Sequence, residues 1–250
     1  MEKKLVFISH IGEESELAKL ISEEIKSAFL GILDTFVSSD PDSIPSGARW
    51  LDEIEVALTK AEVLMTLSSP QSIKRPWINF EAGAAWMRKI PSIPLCHSGL
   101  SKSQLPIPLS LLQAADLVDE SDLYRVFDTL TKVLGSRKPT VDYKSFIEKC
   151  GPLIKQYTYL IIIKQAIQAI VKLRPKLKSL FVSGESSTRE LGLKGYEYNE
   201  VAAALDLLIN EGLIDYVIRV TLMGPNDFRG GDIAVTEKYL NDVLPLLKWD

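Results

Sequence analysis

Apolar and polar positions fall in alternating blocks along the first 135 residues, and the period within each block switches between that of a strand and that of a helix. KLVFIS (4–9) is a short apolar run of strand type. EESELAKLISEEIKSAF (13–29) then places Leu17, Leu20, Ile21, Ile25 and Phe29 at helical spacing. ILDTFVS (32–38) predicts a second strand and GARWLDEIEVALTKA (47–61) a second helix. EVLMTLS (62–68) is apolar throughout its interior, as a strand covered on both faces should be. PWINFEAGAAWMRK (76–89) predicts a third helix with proline in its first turn, and IPSIPLC (90–96) a fourth strand. SLLQAADLVDESDLYRVFDTLTKVLG (110–135) supplies a short segment and a last helix. Strands alternating with helices of this length predict an α/β fold, a parallel sheet with helices on both faces. Ligands of such sheets bind beyond the carboxyl ends of the strands. That rule selects ISHIGEE, SSDPDSIPSG and SSPQSIKRPW, all polar and rich in small residues.

GSRKPTVD (135–142) has the composition of a linker, so the expected domains are 1–136 and 137–250. Beyond it the chain is predicted mostly helical to Phe181, with breaks at Pro152 and Pro175. YEYNEVAAALDLLINEGLIDYVIRV predicts a helix, a stop at NEG and a strand. MGPNDFRGGD then forms a turn-rich tip, IAV a returning strand and TEKYLNDVLPLL a closing helix. Helix, strand, glycine-rich tip, strand and helix in this order resemble a winged-helix domain, a smaller α+β module. Such modules often bind DNA, which makes charge informative. From Thr140 onward acids and bases balance at 14 each, and the helix that would enter a groove carries Glu197, Glu200, Asp206 and Glu211. A DNA reader needs a basic face, so an interaction module is expected and nucleic acid is not. The run Lys172, Arg174, Lys176, Lys178 is a solvated face.

Composition narrows the classes further. A net charge of −4 gives the whole chain no claim on nucleic acid or an anionic membrane. The amino-terminal apolar run is too short for a signal peptide, and YLIII (159–163) is far too short to span a bilayer. Two cysteines and two histidines make no disulfide framework and no zinc set. A cytoplasmic protein without a metal is expected.

KLVFISH, FVSSDPDSIPSGARWLDEIEVAL, AEVLMTLSSPQSIKRPWINFEAGAAW and IPLC, in this order and at these separations, resemble a bacterial Toll/interleukin-1 receptor (TIR) domain over roughly residues 3–135. The resemblance implies a flavodoxin-like sheet. It also implies NAD hydrolase activity, with NAD as substrate and no cofactor, and a catalytic glutamate early in a helix, here Glu81. SSDPDSIPSG would be the family's mobile loop. Self-association through the TIR domain would complete the site, residues 137–250 would hold a sensor or partner protein, and an immune, anti-phage role would follow.

The chemistry suits one carboxylate. Breaking the nicotinamide–ribose bond releases a neutral pyridine, so no general acid is needed, and a carboxylate beside the sugar stabilises the positive charge that develops there. Trp77 lies four residues before Glu81 on the same helical face, where its indole can stack on a cationic nicotinamide; it is equally a core anchor. Small residues at Ala82, Gly83 and Ala84 would leave the helix slim enough for close approach. The sheet rule adds Phe7, Ser9 and His10 at the end of the first strand, Ser39 and Asp40 at the end of the second, Trp50 on the following helix, and Ser69 with Arg75 after the third. Alone, Glu81 would be an acid complementing a helix dipole, His10 a loop residue, Trp50 a core residue, Asp40 a turn residue and Arg75 a solvated cation. No nucleophile elbow, P-loop or G-x-G-x-x-G is present. Three other functions compete with NAD hydrolysis. They are a non-enzymatic TIR adaptor, a nucleoside hydrolase or deoxyribosyltransferase on a similar sheet, and a DNA-binding regulator.

Overall fold

The computed structural model describes residues 3–37, 50–185, 187–221, 228–247 and 249. The chain divides into two compact units, residues 1–157 and 158–250. In the first, β1 (Lys4–Ser9), β2 (Leu33–Val37), β3 (Ala61–Ser68), β4 (Ser92–Cys96) and β5 (Ala115–Asp116) form one sheet in the order β2-β1-β3-β4-β5. Every neighbouring pair is parallel. The chain winds one way from β1 to β2 and the other way from β3 onward. The topological switch point, where such sheets open a crevice, therefore lies between the carboxyl ends of β1 and β3.

Side-chain alternation along the strands separates two cores. Val6, Ile8, Val63, Met65 and Leu67 pack against Leu17, Ile21 and Ile25 of α1 (Ser15–Ala28) and Val126, Phe127 and Leu130 of α4 (Glu120–Leu134). Phe7 and Leu64 face the other way. They meet Ile54, Ala57 and Leu58 of α2 (Trp50–Lys60) and Ile78, Ala82 and Ala85 of α3 (Pro76–Arg88). The ends of α4 follow local rules: the Asp119 side chain accepts from Asp122 N at 2.9 Å, and Gly135 ends the helix at φ 65°.

One helix differs from the pattern-based expectation. α5 (Tyr143–Leu173) runs unbroken through Pro152. The carbonyl that proline leaves without a donor belongs to Glu148, and Glu148 and Pro152 are both exposed, so the missing bond is not a buried one. The break expected at Pro175 does occur, as a 3-10 turn. The units part inside α5, after Tyr157, because its first turns bury Phe146 and Cys150 against the α1–α4 core.

The second unit contains the rest of α5, α6 (Lys178–Val182), β6 (Arg189–Lys194), α7 (Gly195–Asn210), β7 (Ile214–Thr221) and β8 (Phe228–Val235). Its sheet is antiparallel in the order β6-β8-β7. Ile163, Ile167 and Ile170 pack with Leu205, Leu208, Ile233 and Tyr239 in its core. Among the described residues no helix is long and apolar enough to cross a membrane.

Candidate functional site

α3 brings a carboxylate to the switch point. Pro76 fills the first helical position, where its missing N–H costs nothing, and Glu81 follows in the second turn. Ile78, Ala82 and Ala85 are buried on the sheet side of the helix. Glu81 shares their burial at 1 % exposure, which removes it from the class of solvated acids that merely complement a helix dipole. The period of two along β1 turns Ser9 toward the same side as Phe7, and the Ser9 hydroxyl donates to Glu81 Oε2. Trp77 Nε1 donates to Glu81 Oε1 at 2.8 Å from one turn earlier. Thr66, the register partner of Ser9 on β3, is fully buried and its hydroxyl has no hydrogen-bond partner.

Burial disfavours the charged form of Glu81, and its pKa is pushed up from 4.5 to about 7 despite the two donors, which pull it down. The carboxyl group is thus divided between its two forms at neutral pH. It can serve as an anion beside a developing positive charge, or exchange a proton, with little driving force needed for either. Trp77 is half-buried and stacks on the exposed Phe80, ring centroids 5.1 Å apart, so an aromatic pair flanks the carboxylate.

A second buried carboxylate stands over the α1–α4 side. Glu14, in the 3-10 turn after β1, accepts from Ser69 Oγ at 2.7 Å and from Ile11 N at 3.2 Å. His97 Nε2, at the end of β4, lies 3.2 Å from Glu14 Oε1, close enough for an ion pair but not aligned as a hydrogen bond. Tyr157 of α5 completes the cluster, its hydroxyl 2.8 Å from Ser69 Oγ and its ring 5.6 Å from that of His97. Apart from Ser69, nothing in the sequence marks these residues. Glu14 belongs to an ordinary acidic helix start, and Tyr157 to the apolar stripe of a helix.

The sequence-derived candidates therefore separate. Ser9, Trp77 and Glu81 come together. Ser69 belongs to the Glu14 cluster. Phe7 is a core residue, fully buried and stacked on Phe36 at 5.1 Å. His10 is buried, with Nδ1 3.1 Å from the carbonyl of Ile8 on its own strand. Arg75 pairs with Glu13 at 3.3 Å on the surface. Trp50 begins α2, and Ser39 and Asp40 lie outside the described residues. Among the described residues no group of three His, Cys, Asp or Glu is placed to hold a metal ion.

The family model described as "TIR domain" matches residues 6–131, half of the chain. The chain belongs to the TIR domain family. The match runs from β1 to the last turns of α4, and so contains the switch point, Glu14 and Glu81. No curated protein matches the chain.

Proposed function

We propose that this TIR protein is an NAD glycohydrolase that cleaves the nicotinamide–ribose bond with Glu81 as its catalytic carboxylate. The observation that carries the proposal is the seat of Glu81: a buried carboxyl at the switch point, held by Ser9 and Trp77 and divided between its two forms near pH 7. A cationic nicotinamide beside it favours the ionised form, so substrate binding itself charges the group. As the bond breaks, positive charge passes from the ring to the ribose, and the anion stabilises it there. Trp77 and Phe80 supply an aromatic surface for the leaving ring.

Glu81 is almost wholly buried and each of its oxygens already takes a protein donor, so the sugar reaches it only if its cover moves. A ribose hydroxyl can take the place of the Trp77 N–H if the start of α3 shifts. This requirement supports activation by self-association of TIR domains, and with it a triggered immune effector. The sheet order β6-β8-β7, with α7 between β6 and β7, supports a winged-helix-like second unit, and its balanced charge favours a protein partner over nucleic acid. The closure of Glu81 also favours a second reading, a scaffold that never opens the site.

Nicotinamide release from NAD, followed over a range of protein concentrations for wild type and Glu81→Gln, tests the proposal. Expected are a rate that steepens with concentration and a loss of about 10²–10³-fold in the variant, the scale of one preorganised electrostatic contact. An unchanged rate in a folded variant overturns it. Cleavage of deoxynucleosides in place of NAD keeps the carboxylate and changes the substrate. No turnover in a demonstrably assembled wild type favours the scaffold.

A further inference from the structure

The connection between β3 and α3, residues 69–75, determines where the helix of Glu81 begins, and it is tied down from one end. Ser69 N donates to Ser72 Oγ at 2.7 Å, and Ser72 N donates back to Ser69 Oγ at 3.1 Å. Ser72 Oγ reaches the carbonyl of Leu67 at 3.1 Å, and Ile73 N and Arg75 N close on Ser69 O and Ser72 O at 3.2 and 3.0 Å. The turn is thus a rigid unit hung on Ser69, with Pro76 next in the chain.

Ser69 has a single hydroxyl proton, and the Glu14 carboxylate takes it. The Tyr157 hydroxyl lies 2.8 Å from Ser69 Oγ and also bonds the Glu14 carboxylate, so it holds Ser69 both directly and through Glu14. Tyr157 also faces His97, whose backbone N–H donates to Ser68 O at 2.9 Å. The Tyr157 side chain therefore meets groups that follow the adjacent strands β1, β3 and β4, its hydroxyl on Glu14 and Ser69 and its ring on His97. It comes from a helix beyond the matched span 6–131, and it is the last residue of the first compact unit. Burial at 7 % exposure and the nearby Glu14 favour the protonated, donating form of this phenol.

We infer that Tyr157 is a positioning residue: its hydroxyl pins residues 69–75 through Ser69 and so fixes the start of the helix that carries Glu81. α5 is in this respect a working part of the TIR unit. The kinetic consequence rests on the catalytic reading of Glu81; the structural consequence does not.

Full-length Tyr157→Phe removes one oxygen and keeps the ring. Hydrogen exchange of amides 69–75 is expected to quicken about fivefold, the factor for one net hydrogen bond, with β1 and α1 unchanged. The infrared carboxyl signal of Glu81, assigned by its loss in Glu81→Gln, is expected to titrate below about 7, because water reaches a loosened helix start and relieves the burial that raises it. Ser69→Ala is expected to reproduce both effects, and Tyr157→Phe to add nothing in its presence. In NAD turnover kcat falls while KM holds. Unchanged exchange and titration in Tyr157→Phe overturn the inference, as does loosening spread evenly over the sheet. An inactive wild type sinks the proposed reaction, but exchange and titration still decide the anchor.

Discussion

Glu81 couples folding to protonation in a direction that can be measured. The folded chain holds this proton up to about pH 7, whereas the unfolded chain releases it near 4.5, so the folded state binds more protons between those values. Stability contributed by this residue is therefore full below pH 4.5 and is lost as pH rises to about 7. At 1.36 kcal/mol per pH unit the loss is about 3 kcal/mol. Glu81→Gln has no such loss and keeps one acceptor for Ser9 or Trp77. Its urea midpoint is expected to gain on wild type from pH 4.5 to about pH 7 and then to level off. A difference independent of pH contradicts the titration. Under the proposed reaction the anion is the working form, so kcat/KM for NAD should rise with pH through about 7. Part of this site was legible in the sequence. Trp77 and Glu81 lie four residues apart on one helix, and that spacing alone brings them together. The Ser9 hydroxyl meets Glu81 across 72 positions and Tyr157 meets Ser69 across 88, which no local period reveals. Ser9 was picked out by the sheet rule, but as a ligand contact instead of a support for the carboxylate.

Among the elements, α3 shows which small residues matter. Ala82 and Ala85 are buried against the sheet side, whereas Gly83 and Ala84 are half-exposed, and a Cβ built on Gly83 would meet nothing within 4 Å. The close approach expected of Gly83 thus belongs to its neighbours. Gly83→Ala is expected to raise stability by about 0.5–1 kcal/mol through helix propensity alone, leaving the Trp77–Glu81 bond intact. Ala85→Leu must force α3 off the sheet, and a cost of about 1–3 kcal/mol is expected. Thermal unfolding of the two variants checks both signs; a destabilised Gly83→Ala would mean that something packs on that face. The long elements of the first 135 residues were legible because their apolar periods are unambiguous. β5 was not, since two residues cannot display a period. In β6, Leu191 and Leu193 alternate and are both fully buried, but four residues of RELGLK are polar or glycine, and that diluted the signal. Pro152 misled because a proline's local cost can be outweighed: the carbonyl it orphans is on an exposed residue, and the apolar stripe on either side of it is held against the core.

At the scale of the whole chain, composition placed the boundary in the polar segment 135–142, whereas packing places it after Tyr157. The two boundaries make different demands on the first core. Tyr143, Phe146, Ile147, Cys150, Leu153 and Ile154 form a continuous stripe at helical spacing, and the stripe covers the core that α1 and α4 share. Phe127 stacks on Phe29, with centroids 6.0 Å apart, and carries Tyr143 on its edge at 5.7 Å. A chain ending at residue 136 would leave that surface open. Each large side chain uncovered or lost forfeits about 1.5–3 kcal/mol, and a few of them consume a stability of about 5–15 kcal/mol. A fragment of residues 1–157 is therefore expected to unfold cooperatively and remain monodisperse. A fragment of residues 1–136 is expected to melt at least 10 °C lower or to aggregate, since about 1 kcal/mol already moves the midpoint of a domain this size by several degrees. Equal midpoints for the two would return the boundary to the linker and reduce the first turns of α5 to a tether.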